Sequence, residues 1–186
     1  MTVSPMHHDL VARAKEITAR EKAVYSERTK RSQIATERAR RVMPAGVPSS
    51  FQAYEPWPIV VKHAAGSRMI DVDDNEYVDY DMGFGALFAG HMNPAVRRAV
   101  TEQSEHGSLY VTPCELDAEV CELLDARYGL PMWRPTNSGT EATHDAIRAR
   151  GVTGRERIVK VEGGYHGHHD EVMISNKPPL ELAGPA

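Results

Sequence analysis

The sequence predicts an α/β protein, on three observations. Residues 132–161 run strand, tight loop, helix, strand, the order that begins a layer of helices on a sheet. Upstream, three short strand-like runs separated by Asp, Asn, Gly and Ser turn residues predict a small antiparallel meander. The chain of 186 residues is 41% hydrophobic and 26% charged, a globular composition that excludes collagen-like, mucin-like and wholly disordered chains. At this length a core can form without disulfides or metal.

Taken in order, residues 1–43 form a helical segment. Between Leu10 and Val42 it is rich in Ala, Arg, Glu and Lys with sparse apolar positions, which argues one or two exposed helices. Prolines and glycines from Pro44 to Pro58 then break regular structure and open a segment over 44–92. Its strands are expected at Ile59–His63, Arg68–Val72 and Glu76–Tyr80. A third segment, 93–186, starts with Asn93-Pro94 as N-cap and first helical residue, giving a helix to about His106. Thr112-Pro113-Cys114-Glu115 reads as a capping box opening a second helix, with Leu116, Val120, Leu123 and Leu124 on its apolar face and Gly129 at its end. Strands are expected at Met132–Thr136, Arg157–Val161 and near Val172–Ser175, with a helix over Glu141–Arg150.

Two places carry chemistry. Ser138, Gly139 and Thr140 lie between a strand and a helix, where backbone N–H groups and the helix dipole can hold a phosphate. The same residues, with Glu141, also read as a plain capping box. The second is Gly163-Gly164-Tyr165-His166-Gly167-His168-His169-Asp170, a glycine loop at a strand's C-terminal end, where α/β sheets bind ligands. A solvated turn is the bland alternative. A rival is zinc held by His166, His168 and Asp170 in a hydrolase, although Glu171 stands where such a run would have its last histidine.

These segments together resemble a family. Arg41-Val42-Met43-Pro44-Ala45-Gly46-Val47, Asp71 to Tyr80, Gly90-His91 with Pro94, Asn137 to Ala142, and Gly164-Tyr165-His166-Gly167 are similar, in order and spacing, to the N-terminal part of class III pyridoxal-phosphate-dependent aminotransferases, the glutamate-1-semialdehyde 2,1-aminomutase group above all. The resemblance covers about residues 38–175. It implies a fold-type I scaffold, here its helical N-terminal segment, small-domain meander and the start of an incomplete cofactor-binding large domain. It implies pyridoxal 5′-phosphate as cofactor, with Ser138, Gly139 and Thr140 on the phosphate, Tyr165 stacked on the pyridine ring and His166 in the same pocket. It further implies a small-molecule amino donor and acceptor and a homodimer when full length.

Three departures stand beside it. The family's Schiff-base lysine lies downstream of these motifs, and none of Lys15, Lys22, Lys30, Lys62, Lys160 and Lys177 has its context, so no catalytic lysine is assigned and the chain alone is expected to be inactive. Gln52 stands where the aminomutase pattern has an arginine, and a neutral amide cannot grip a carboxylate as a guanidinium does. Ala146 to Gly151 is one residue shorter than the family's run, so either the helix ends early or the sequence carries a lesion. A non-catalytic remnant acting as a binding module is the remaining alternative.

A net charge of −4 gives no basic footprint for nucleic acid. The longest stretch without a charged residue, Met82 to Val96, is too short and glycine-rich to span a bilayer, and Met1 to Asp9 has no apolar signal run. A cytoplasmic location is expected. Cys114 and Cys121, two helical turns apart, are too far from each other for a disulfide.

Overall fold

The computed structural model of the chain describes residues 5–176, 178 and 179, which fall into two compact units divided after Leu109. The expectations for the first four residues and for Lys177 lie outside the described residues. Helix Pro94–Ser104, placed by sequence with the third segment, clusters with the first unit.

The first unit begins with helices α1 (Pro5–Arg28) and α2 (Lys30–Ala39), so the charged segment is indeed two exposed helices. They part at Thr29, which makes no side-chain cap for α2. That cap comes from Asp73, whose carboxylate accepts from Arg31 N at 2.6 Å, Ser32 N at 2.9 Å and Ser32 Oγ at 2.7 Å.

Asp73 sits in the turn between strands β2 (Arg68–Asp71) and β3 (Glu76–Val78), which with β1 (Val61–Ala65) form the expected antiparallel meander in the order β1-β2-β3. Strand β1 starts two residues later than Ile59, and its register slips between Val61 and His63. The most deeply buried side chains here are polar: Thr29, Ser32, Thr36 and Asp71. Buried polar groups are tolerated when they are hydrogen-bonded, and Asp71 accepts from Asp73 N and Asn75 N through Oδ1 (2.9 and 2.8 Å) and from Asn75 Nδ2 and Tyr77 Oη through Oδ2 (2.9 and 2.8 Å). Burial first, and then the bond to Asp71, push the Tyr77 phenol up to about 12. Helix α3 (Pro94–Ser104) ends the unit's regular structure, with Asn93 Oδ1 accepting from Ala95 N and Val96 N at 3.0 and 3.3 Å.

The second unit contains helices α4 (Glu115–Tyr128), α5 (Gly139–Arg148), α6 (Arg150–Thr153) and α7 (Asp170–Met173). Helix α4 begins two residues later than Thr112-Pro113 suggests, because Asp117 reaches back to Cys114 N at 2.9 Å and makes Cys114 the cap. Gly129 ends it in the left-handed region, as expected (φ 67°). Both cysteines are free. Its apolar face stays uncovered, Leu123 being 71% exposed.

The strands expected at Met132–Thr136 and Arg157–Val161 are not formed. A strand exists by its ladder to a neighbour, and the single sheet among the described residues is the meander. The strand expected near Val172–Ser175 is replaced by α7, whose turn closes by Val172 N and Met173 N donating to His169 O at 3.1 and 3.2 Å. Asp170 and Glu171 in its first turn suit a helix start.

Candidate functional site

The phosphate-type motif is built as a helix start. Ser138 is extended (φ −154°, ψ 157°) and caps α5 through Oγ, which accepts from Glu141 N at 3.2 Å, while Glu141 Oε2 accepts from Asn137 N at 2.8 Å. Gly139 is the first helical residue and Thr140 the second. Their two N–H groups find no acceptor among the described residues, as the first amides of a helix do unless an outside group supplies one. The Ser138 half of the capping-box alternative is therefore formed, whereas Glu141 bonds Asn137 N, one residue before the cap. It leaves the donors of Gly139 and Thr140 unused.

The glycine loop lies across this helix start. Gly167 (φ 122°) packs so closely that a Cβ there would stand 2.9 Å from Thr143 Oγ1 and 3.2 Å from Thr140 Cα, an approach only glycine allows. His168 N donates to Thr140 Oγ1 at 3.1 Å, which leaves the Thr140 hydroxyl proton to point elsewhere. Tyr165 is 51% exposed. His166 Nε2 is buried and finds no hydrogen-bond partner among the described residues, and the ring borders an apolar cavity of about 370 Å³ walled by Ile147, Ile158, Val161 and Val172. Lys160 Nζ donates to the carbonyls of Val172 and Ile174.

The structure thus joins Thr140 to the loop that carries Tyr165 and His166. It does not assemble the zinc alternative: among the described residues no three His, Cys, Asp or Glu side chains are grouped to hold a metal. His169, which the sequence reading passed over, is instead engaged by Glu171 at 2.8 Å and Thr143 at 3.1 Å and stacks on His144 at 5.0 Å between ring centroids. The signal for it was the Thr143-His144 pair, one turn into the helix that Ser138 caps. In the first unit, Gln52 lines a cavity of about 460 Å³ with Met43, Val47, Pro48 and Tyr54, and among the described residues no lining side chain is cationic.

The donors at the start of α5 fit a phosphate: two amides and two hydroxyl protons without an acceptor among the described residues, with the Glu141 carboxylate bonded to Asn137 N. Among the described residues no helix is long and apolar enough to cross a membrane.

Comparison with known proteins agrees with this architecture. The chain is 47% identical over 140 residues to a glutamate-1-semialdehyde 2,1-aminomutase from Methanocella arvoryzae, a match covering 74% of this chain and 33% of that protein. It superposes on the crystal structure of a glutamate-1-semialdehyde aminomutase from Pseudomonas aeruginosa PAO1 with a TM-score of 0.82 and 34% identity, over 87% of this chain and 36% of the other. A transaminase solved with PLP bound matches with a TM-score of 0.74 and 34% identity, over 80% of this chain and 35% of the other. The chain spans about a third of the length of the curated relatives it matches, and its fold is the N-terminal part of the fold-type I α/β architecture. The family model described as aminotransferase class-III matches residues 50–179, and the chain belongs to the class-III aminotransferase family.

Proposed function

We propose that this chain binds the phosphate end of pyridoxal 5′-phosphate and serves a PLP-dependent aminotransferase or aminomutase, glutamate-1-semialdehyde aminomutase-like, acting on amino acid or amino-aldehyde substrates in a cytoplasmic homodimer. The observation that carries the proposal is the helix start at Ser138, Gly139 and Thr140, whose unspent amides and hydroxyls are joined through Thr140 Oγ1 to the loop of Tyr165 and His166.

In this reading the amides of Gly139 and Thr140 and the hydroxyls of Ser138 and Thr140 grip phosphate oxygens, aided by the positive end of α5. Tyr165 offers an exposed ring for stacking on a pyridine. His166, with a buried unpaired Nε2, offers one more polar contact in the pocket. Bound there, the cofactor supplies an electron sink for reactions at the carbon that bears the amino group. The domain reading follows the same logic: 1–43 as helical segment, 44–92 as small-domain meander and connecting loop, and 93–186 as the beginning of the cofactor-binding large domain. Gln52 beside a cation-free apolar cavity favours an aminotransferase whose substrate needs no arginine at that place.

The test compares PLP with pyridoxal, which lacks the phosphate, by equilibrium dialysis. Thr140→Ala should weaken PLP binding by about 1.5–3 kcal/mol, the worth of a hydrogen bond to a charged group, and leave pyridoxal unaffected. Equal PLP affinity in the variant and the parent chain would refute the assignment.

A further inference from the structure

We propose that Lys160 is a positioning residue: its amine fastens the end of helix α7 to the segment that enters the glycine loop, and so fixes where that loop carries the Tyr165 ring. Lys160 Nζ donates to Val172 O at 2.9 Å and to Ile174 O. Two bonds need two N–H protons, which a lysine amine has whether or not it is charged. Val172 belongs to the last turn of α7 and Ile174 is its C-cap, the place where a helix leaves carbonyls open and a lysine can close them. Val172 is 4% exposed, and a carbonyl on a buried residue requires a donor. Lys160 is in none of the ion pairs among the described residues, so these carbonyls are what its amine serves.

The bonds lie at the base of the loop. Gly163 N donates to Ser175 O at 2.8 Å, and Gly164 N donates to Val161 O at 3.1 Å across a turn in which Gly163 is left-handed (φ 74°). Together with the bonds from Lys160, the Gly163–Ser175 bond joins residues 160–163 to 172–175, and Lys160 is the side chain that takes part. The loop's other anchor is α5: His168 N donates to Thr140 Oγ1 at 3.1 Å, and Gly167 lies against Thr143.

Tyr165 and His166 are therefore carried between two fixed points. The chain leaving the base does so through Gly163 and Gly164, which by themselves restrict the backbone least. The helix anchor sets one end of the stretch, and Lys160 sets the other. The relevance of this to a cofactor ring rests on the function proposed above, whereas the fastening of the loop does not.

The fastening is tested without ligand. In the ¹⁵N-labelled chain, hydrogen exchange of the Gly163 amide reports whether the base is closed. Lys160→Met keeps an aliphatic stem and removes the donors, and should lower Gly163 protection about tenfold. Lys160→Arg, whose fork of N–H groups can serve both carbonyls, should keep it. A second measurement needs no variant: in the parent chain, trace acetylation by acetic anhydride should modify Lys160 about tenfold more slowly than the exposed Lys15. Gly163 protection indifferent to Lys160→Met, or Lys160 acetylated as fast as Lys15, overturns the proposal.

The positioning is read by equilibrium dialysis in a double-mutant cycle. Lys160→Met should weaken PLP binding about three- to tenfold, the range of an aromatic contact, and Lys160→Arg should bind as the parent does. In a Tyr165→Ala background the loss should vanish. Affinity for inorganic phosphate should stay unchanged, because the amides of Gly139 and Thr140 are untouched. A loss of equal size with and without the Tyr165 ring is general destabilisation and overturns the proposal. A parent chain with a protected Gly163 amide that binds no PLP refutes the function proposed above, and the exchange and acetylation results then decide the role of Lys160 alone.

Discussion

Replacing Gly139 with proline separates the helix from its proposed ligand. Proline is favoured at the first helical position because that residue's N–H has no partner within the helix. Gly139 occupies that position, and a Cβ added there meets nothing within 4 Å. Ser138 before it is already extended, the conformation a following proline demands (φ −154°, ψ 157°). Gly139→Pro therefore breaks no bond among the described residues. By restricting the unfolded chain it should raise stability by about 0.4–1 kcal/mol. It does remove one of the two unspent amides, and a hydrogen bond to a charged group is worth about 1.5–3 kcal/mol. The dissociation constant for PLP should rise about 10- to 100-fold, read by equilibrium dialysis with inorganic phosphate as competitor, while thermal denaturation followed by circular dichroism shows no loss. Gly139→Ala keeps the N–H and is the control for added bulk. A folded Gly139→Pro chain that holds PLP as tightly as the parent would refute the anion site.

Three further outcomes are expected. Tyr165→Phe should keep most PLP affinity and Tyr165→Ala should lose about 1 kcal/mol or more; equal losses, measured by the same dialysis, would assign the effect to the hydroxyl. Tyr77 is raised from 10.0 to about 12 in the folded chain, so its contribution to stability is complete below about pH 10 and is lost as pH rises towards 12. Alkaline denaturation followed by circular dichroism should show that loss in the parent chain, with Tyr77→Phe abolishing it. Mixing the chain with PLP and reducing with borohydride should leave Lys160 unmodified in peptide mass spectra, because its amine is spent on the Val172 and Ile174 carbonyls; a stoichiometric adduct there would show that the amine is available.

Features set by neighbours in sequence were legible. Asn93, Gly129 and Ser138 each declare a helix end within three residues, and the meander's turns are local. The start of α4 was misplaced because Thr112-Pro113 and Cys114 with Asp117 offer two caps, and only the geometry shows which closes. The expected strands at 132–136 and 157–161 illustrate the other limit: their composition suits a sheet, but a ladder needs a partner that composition cannot supply. At the site, the start of α5 could be read from Ser-Gly-Thr-Glu alone. The histidines could not, since spacing drew the eye to His166, His168 and Asp170, whereas contacts chose His169 with Thr143, 26 residues earlier.

The capping of α2 by Asp73 has a consequence for synthesis. The ribosome delivers Lys30 some forty residues before the carboxylate that caps its helix, so while α2 emerges nothing marks the break at Thr29. A nascent chain can run α1 and α2 together as one rod until the β2–β3 turn arrives, and the bonds from Arg31 N, Ser32 N and Ser32 Oγ then fix the joint. The joint at Thr29 is thus completed by a long-range contact in a segment made first, and the residue that completes it belongs to the β2–β3 turn.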